Sequence, residues 1–234
     1  MNFLEIIEKG GISMYPLLLL SVLSIATILE RLWFWSRVVF KEKKIFNRIM
    51  EAAERNWDLV GKIAQEYINH PLGSFVYSPF RLSNPDPDVF HIALESAAEE
   101  QLARMRKGDK VLEAIIALSP LLGLFGTVWG LIQALSSIRI SDLGTADSSG
   151  VTLGIGESLI STAVGLLVAI ISLSFYRLFQ AFWSNQIRIL RRMGSRLEVM
   201  YRDRWMQSES DETEGIISSE DDYTFVNIKP PEIK

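Results

Sequence analysis

The chain has 234 residues, of which 48 % are hydrophobic and 22 % charged, with a formal net charge of −4. Its mean hydropathy is +0.18, and the apolar residues fall in blocks, so it reads as a membrane protein and not as an ordinary soluble domain. Cysteine is absent and only two histidines occur, His70 and His91; this excludes a disulfide framework and leaves no metal site or metal cofactor to expect.

Residues 1–11 are a short mixed stub carrying Glu5, Glu8 and Lys9. Ile12 to Leu29 is uncharged and is closed by Glu30 and Arg31, so a first membrane span is expected over 12–35. Pro16 is tolerated in its first turns. Trp33 and Trp35 read as an interface belt. No small-residue cleavage site follows, so the span is expected to be retained and not removed as a signal peptide.

Residues 36–110 are soluble in character. Lys41, Lys43, Lys44 and Arg48 flank the first span. Ile45, Ile49, Ala52, Val60, Ile63 and Tyr67 predict an amphipathic helix over about 41–67. Prolines 71, 79, 85 and 87 then break the chain. Asp86-Pro87-Asp88 reads as a helix start. Phe90, Leu94, Ala97, Ala98, Leu102 and Met105 continue at helical spacing, toward a second span over 111–138 with Gly108 as a weak point and Pro120 as a kink.

The uncharged run from Ala114 to Ile138, at about 1.5 Å per helical residue, suffices for a ~30 Å hydrocarbon layer with some tilt. Residues 139–149 form a polar connection with Arg139, Asp142 and Asp147. A third span is expected over 150–177, with Glu157 the only charge between 148 and 176. Arg177, Arg188, Arg191, Arg192, Arg196, Arg202 and Arg204 follow, predicting a cytoplasmic helix over 178–206. Residues 207–234 read as a disordered acidic tail. The Lys/Arg bias places the N-terminus and the 139–149 connection outside, and 36–110 and the C-terminal part in the cytoplasm. The expected fold is therefore all-α, with three transmembrane helices and long cytoplasmic helical extensions.

Two stripes of small and polar residues mark the second and third spans. Gly123, Gly126, Thr127 and Gly130 recur at three- and four-residue spacing on one helix side, and Gly126 and Gly130 form a small-xxx-small pair that admits another backbone. Gly154, Glu157, Ser158, Ser161, Thr162, Gly165, Ala169 and Ser172 form the second stripe. A short connection makes these spans antiparallel neighbours, so Thr127 and Thr162 can face one interior. A lone threonine also satisfies itself on its own helix, and the glycines serve as packing residues. Glu157 has two readings: the mouth of an ion path, or an interfacial carboxylate favoured by the helix dipole.

At these residues the sequence resembles the MotA/TolQ/ExbB proton-channel family. Leu118-Ser-Pro-Leu-Leu-Gly-Leu-Phe-Gly-Thr-Val-Trp-Gly-Leu-Ile132 is similar to its second-helix signature. Gly154-Ile-Gly-Glu-Ser-Leu-Ile-Ser-Thr-Ala-Val-Gly165 is similar to its third. Gly10-Gly-Ile-Ser-Met-Tyr-Pro-Leu-Leu-Leu-Leu20 and Glu30-Arg-Leu32 resemble an ExbB-type start. The resemblance implies a ring-forming subunit, typically a pentamer, around the helices of an ExbD- or TolR-like single-span partner that supplies an intramembrane aspartate. It implies force transfer to a TonB-like protein, in a bacterial inner membrane. Thr127 and Thr162 match the ring threonines, and Glu157 the acidic position. A TolQ-like envelope-maintenance or motility subunit is the alternative, and a passive membrane scaffold is a reading from another class.

Other signals carry little. Gly154-Ile-Gly156 is a fragment of a dinucleotide loop without its third glycine. Basic residues flank the spans and are explained by topology or anionic lipid, so no nucleic-acid partner is expected. No nucleophile–base constellation points to an enzyme. Trp183 reads as a belt residue; Trp57, Trp205 and His91 read as packing or surface residues.

Overall fold

A computed structural model describes residues 11–136 and 149–223, with side chains in the last stretch described from 159 to 211. The regular elements among the described residues are all helical: α1 Met14–Arg55, α2 Asp58–Glu66, α3 Pro71–Tyr77, a 3-10 turn at Pro79–Arg81, α4 Pro87–Met105, α5 Asp109–Ser136 and α6 Ser149–Tyr223. Three of these helical stretches are long and apolar enough to cross a membrane. The N-terminal stub, most of the 139–149 connection and the end of the tail lie outside the described residues, as do the side chains of Glu157 and Ser158.

The chain divides into two compact units, one of residues 1–40 and 102–186, the other of 41–101 and 187–234. In the first unit, α1 buries Met14, Leu17, Ser24, Ile28, Arg31, Trp35 and Val38. Their spacing alternates around 3.5 residues, the seam of a coiled coil. On α6 the buried positions Gly165, Ser172 and Phe179 recur every seven residues, and Gln186 and Met193 extend the series along the same helix. The core of this unit joins Ile28, Trp35, Val38, Met105, Leu112 and Phe179, with Phe175, Phe182 and Trp183 packed against them.

Several expectations are corrected. Trp35 is not a belt residue: it is 1 % exposed and its ring lies 5.5 Å from Phe182. Trp183 packs on the same core and donates its indole N–H to the Leu102 carbonyl at 3.3 Å. A separate helix over 41–67 is not formed. Its first part is the continuation of α1 to Arg55, and the chain breaks before α2 begins at Asp58. The break at Gly108 is real: α4 stops at Met105, and Gly108 takes φ +89°, a conformation that glycine adopts at no steric cost. Pro120 sits inside α5. The third helix also runs on to Tyr223, past the boundary expected at 206, so residues 207–223 are helical and not a disordered tail.

The second unit is built on α2, α3 and α4 with the later part of α6. His70 caps α3, its Nδ1 accepting the Leu72 amide at 3.2 Å, while Pro71 occupies the first helical position. Asp86 starts α4, its Oδ1 accepting the amides of Asp88 at 3.0 Å and Val89 at 2.8 Å. His91 meets Glu198 at 3.0 Å. Among the described residues no cluster of His, Asp and Glu is arranged to hold a metal ion.

Candidate functional site: the intramembrane small-residue junction

The site is built by close approach. A Cβ added at Gly165 of α6 would lie 2.4 Å from the Ser119 carbonyl of α5, and one at Gly123 would lie 2.9 Å from the Thr162 Cα. Both are impossible contacts, so only glycine at these positions lets the two backbones touch. Gly126 admits a third segment: its added Cβ would meet Ser13 Oγ at 2.2 Å and Ser161 Oγ at 2.3 Å. Gly130, one turn further on, is half-buried.

Hydroxyls fill the seam that the glycines open. Ser161 Oγ donates to the Gly123 carbonyl at 3.2 Å and Thr162 Oγ1 donates to the same oxygen at 2.9 Å. The Gly123 carbonyl thereby accepts from two side chains of a neighbouring helix. Ser161 is fully buried and Thr162 half-buried. Farther along α6, Ser172 meets Ser24 of α1 at 2.7 Å and also donates to the Val168 carbonyl at 2.7 Å. A line of hydroxyls thus runs along α6 through otherwise apolar helices.

Thr127 is placed differently. Its Oγ1 donates to the Leu124 carbonyl of its own helix at 2.7 Å, the self-satisfied arrangement open to any membrane threonine. The structure therefore brings Ser161, Thr162, Gly123, Gly126 and Gly165 together, and leaves Thr127 half-buried beside them and not bonded to Thr162. Glu157 and Ser158 lie on the α6 backbone two turns or less before this seam; their side chains are outside the described ones.

Two features escaped the sequence reading. Ser119, next to Pro120, is fully buried, and its hydroxyl has no hydrogen-bond partner among the described residues. Its signal was its place in the glycine-spaced register of α5, four residues before Gly123. The second is a buried ion pair. Arg31, 4 % exposed, reaches Asp109 at 3.5 Å and also donates to the Met105 carbonyl. Asp109 further accepts from Gln180 at 3.3 Å and lies 3.6 Å from Arg106. Arg31 and Asp109 are 78 positions apart, so no local pattern pairs them.

Comparison with known proteins follows the same residues. The model of the MotA/TolQ/ExbB proton channel family matches residues 67–192, a stretch that contains both stripes. A biopolymer transport protein of Synechocystis sp. named ExbB-like 1 is 42 % identical over 200 residues, covering 85 % of this chain and 79 % of that protein. A second from the same organism, ExbB-like 3, is 34 % identical over 194 residues, covering 82 % and 92 %. The Tol-Pal system protein TolQ of Haemophilus influenzae is 28 % identical over 198 residues, covering 75 % and 83 %. With three apolar helices, a glycine-opened seam between two of them and a family match across more than half its length, the chain is a multi-pass membrane protein that belongs to the MotA/TolQ/ExbB proton channel family.

Proposed function

We propose that the chain is the ring-forming subunit of a proton-motive-force-driven motor in the bacterial inner membrane. In this reading several copies, five in the arrangement the family resemblance implies, surround the span of an ExbD- or TolR-like partner. The partner's carboxylate takes up and releases the proton. A TonB-like protein receives the force and energises transport across the outer membrane. The ExbB-like names of the Synechocystis relatives favour this biopolymer-transport role. The likeness to a TolQ supports the second reading, an envelope-maintenance motor of the same design.

The observation that carries the proposal is the pair of hydroxyls on one backbone carbonyl, Ser161 and Thr162 on Gly123. A hydroxyl both donates and accepts, so Thr162 can turn from this carbonyl toward an incoming carboxyl and back. Thr127 offers the same chemistry by leaving its own-helix bond. Glu157 and Ser158 stand toward the outer end of the path and Ser161 within it. Gly123, Gly126, Gly130 and Gly165 keep the walls close, and Pro120 frees a carbonyl by lacking an amide hydrogen. In this topology residues 1–11 and 139–149 face the periplasm, spans occupy 12–35, 111–138 and 150–177, and 36–110 and the chain after 177 are cytoplasmic. Leu121, Leu124, Phe125, Val128, Ile132 and Leu135 of α5 are exposed and are free to meet lipid or a neighbouring copy.

The test is proton flux into liposomes, with the chain alone and with its one-span partner, for wild type, Thr162→Val and Thr162→Ser. Flux that requires the partner, falls with valine and survives with serine is expected. Equal flux in every sample, or flow only under a sodium gradient, overturns the proton assignment. A stable complex silent under every gradient favours a passive scaffold.

A further inference from the structure

Glu113 is a carboxylate that the motor reading leaves without a role. Across residues 111–138 and 159–176 it is the sole charged side chain. It stands two heptads before Thr127 on α5, and Tyr176 stands two heptads after Thr162 on α6. Each heptad drifts by only about 20° around a straight helix, and α5 runs unbroken through Pro120. Glu113 and Tyr176 therefore continue the two faces that carry the threonines. Because Gly123 faces Thr162 while Ser119 faces Gly165, α5 and α6 are antiparallel. Both steps thus lead the same way, roughly 21 Å at about 1.5 Å per residue, to the end assigned to the cytoplasm.

At that end the two side chains meet. The Tyr176 hydroxyl donates to Glu113 Oε1 at 2.5 Å, and this contact closes a directed chain. Gln180 Nε2 donates to the Tyr176 hydroxyl at 3.2 Å and to Asp109 Oδ2 at 3.3 Å. A side-chain amide nitrogen only donates, so Tyr176 accepts from Gln180 and gives its single proton to Glu113. Asp109, at the far end of the chain, is 4 % exposed and held by Arg31 and Arg106. Glu113 is exposed, so of the two carboxylates it is the one open to water. A helix dipole accounts for a carboxylate near the start of α5. It accounts neither for the shared register with both threonines nor for the Gln180–Tyr176 connection.

Building on the motor reading, we propose that Glu113 is the inner proton-transfer group of the threonine-lined path and that Tyr176 is its positioning residue. A proton released by the partner's carboxyl reaches Glu113 as hydronium. One hydronium O–H bond breaks as a carboxyl O–H bond forms. The carboxyl O–H then breaks toward cytoplasmic water, which restores the carboxylate. Tyr176 keeps its own proton throughout and holds the carboxylate on the path.

The test is proton flux in liposomes holding a pH-sensitive dye, with the full chain and a cysteine-free ExbD-like partner. Glu113→Gln should lower partner-dependent flux on the order of a hundredfold, the lower end for a positioned proton-transfer group, and Glu113→Asp should retain much of it. Tyr176→Phe should lower flux less, and adding it to Glu113→Gln should cost nothing further. The absence of native cysteine allows a second measurement on one folded preparation of Glu113→Cys. Iodoacetate attaches a carboxylate that takes up a proton. Sulfonatoethyl methanethiosulfonate attaches a negative charge that does not, and iodoacetamide attaches a neutral amide. Rescue by iodoacetate alone is expected. Equal rescue by the sulfonate makes Glu113 a fixed charge and overturns the proposal, as does rescue by the amide or by none of the three. Full flux in Glu113→Gln overturns this inference and leaves the motor reading standing. A wild type without partner-dependent flux overturns both.

Discussion

Gly165 decides how close α5 and α6 come. A methyl group there would stand 2.4 Å from the Ser119 carbonyl, and backbone cannot yield as a side chain does. Gly165→Ala is expected to separate the helices and lower stability by about 1–3 kcal/mol, seen as a fall in the thermal midpoint of the detergent-extracted protein. Ser161→Ala is expected to cost far less, on the order of 0.6 kcal/mol, the average for hydrogen bonds between membrane helices, because the Gly123 carbonyl keeps Thr162. The buried pair behaves in another way. Arg31 and Asp109 are both nearly inaccessible, so removing Asp109 strands the Arg31 charge, whereas removing Arg31 leaves Asp109 beside Arg106 at 3.6 Å. Asp109→Leu alone should cost about 3–5 kcal/mol and Arg31→Met alone less, and the two together should cost less than the sum of the singles. A double-mutant cycle on thermal unfolding reads this directly, and strict additivity would refute the pairing.

Among the elements, the turn between α4 and α5 rests on one residue. Gly108 has φ +89°, and a Cβ there would lie 3.4 Å from Thr27 Cγ2. Crowding is slight, so the cost is in the backbone: Gly108→Ala should destabilise by about 1–2 kcal/mol. The same substitution at Gly194, helical and facing only the tip of Phe75 at 3.2 Å, is the useful comparison, since its cost depends on whether that ring can give way. The long helices are held by heptad seams. Gly165, Ser172, Phe179, Gln186 and Met193 follow one seven-residue series on α6. That series explains why glycine, serine and phenylalanine share a face: the spacing fixes which residues turn inward, while their sizes set how far apart the helices stand.

For the molecule as a whole, the proposed topology makes a labelling prediction. In the cysteine-free chain, a single Ser83→Cys in the insertion should react with a membrane-impermeant maleimide only after lysis. A single Ser141→Cys in the short connection should react in cells with a permeabilised outer membrane. The reverse pattern would invert the assigned orientation and with it the side from which protons enter. The aromatic cluster of the second unit should also be a stability centre of its own. Trp57 is 7 % exposed and touches three rings, so Trp57→Ala should cost about 3–5 kcal/mol, visible as early protease cleavage within 41–101.

The all-helical class, the three apolar spans, the small-residue stripes, the Asp86 helix start and the family are all legible in the amino-acid order. Each is written in local composition or short periodicity: a membrane demands a long apolar run, and glycines at i, i+3, i+4 and i+7 share a face wherever the helix is put. Which hydroxyl bonds where emerges only on packing. Thr127 and Thr162 look equivalent in sequence, yet one satisfies itself on Leu124 and the other crosses to Gly123, because crossing requires a neighbouring backbone within reach. Trp35 could not be told from Trp33 by composition. One turns into the heptad seam and the other is 62 % exposed, a difference of side and not of residue type. Arg31 read as a polar stop because its partner lies 78 positions away, and a contact of that separation exists only once the helices are packed.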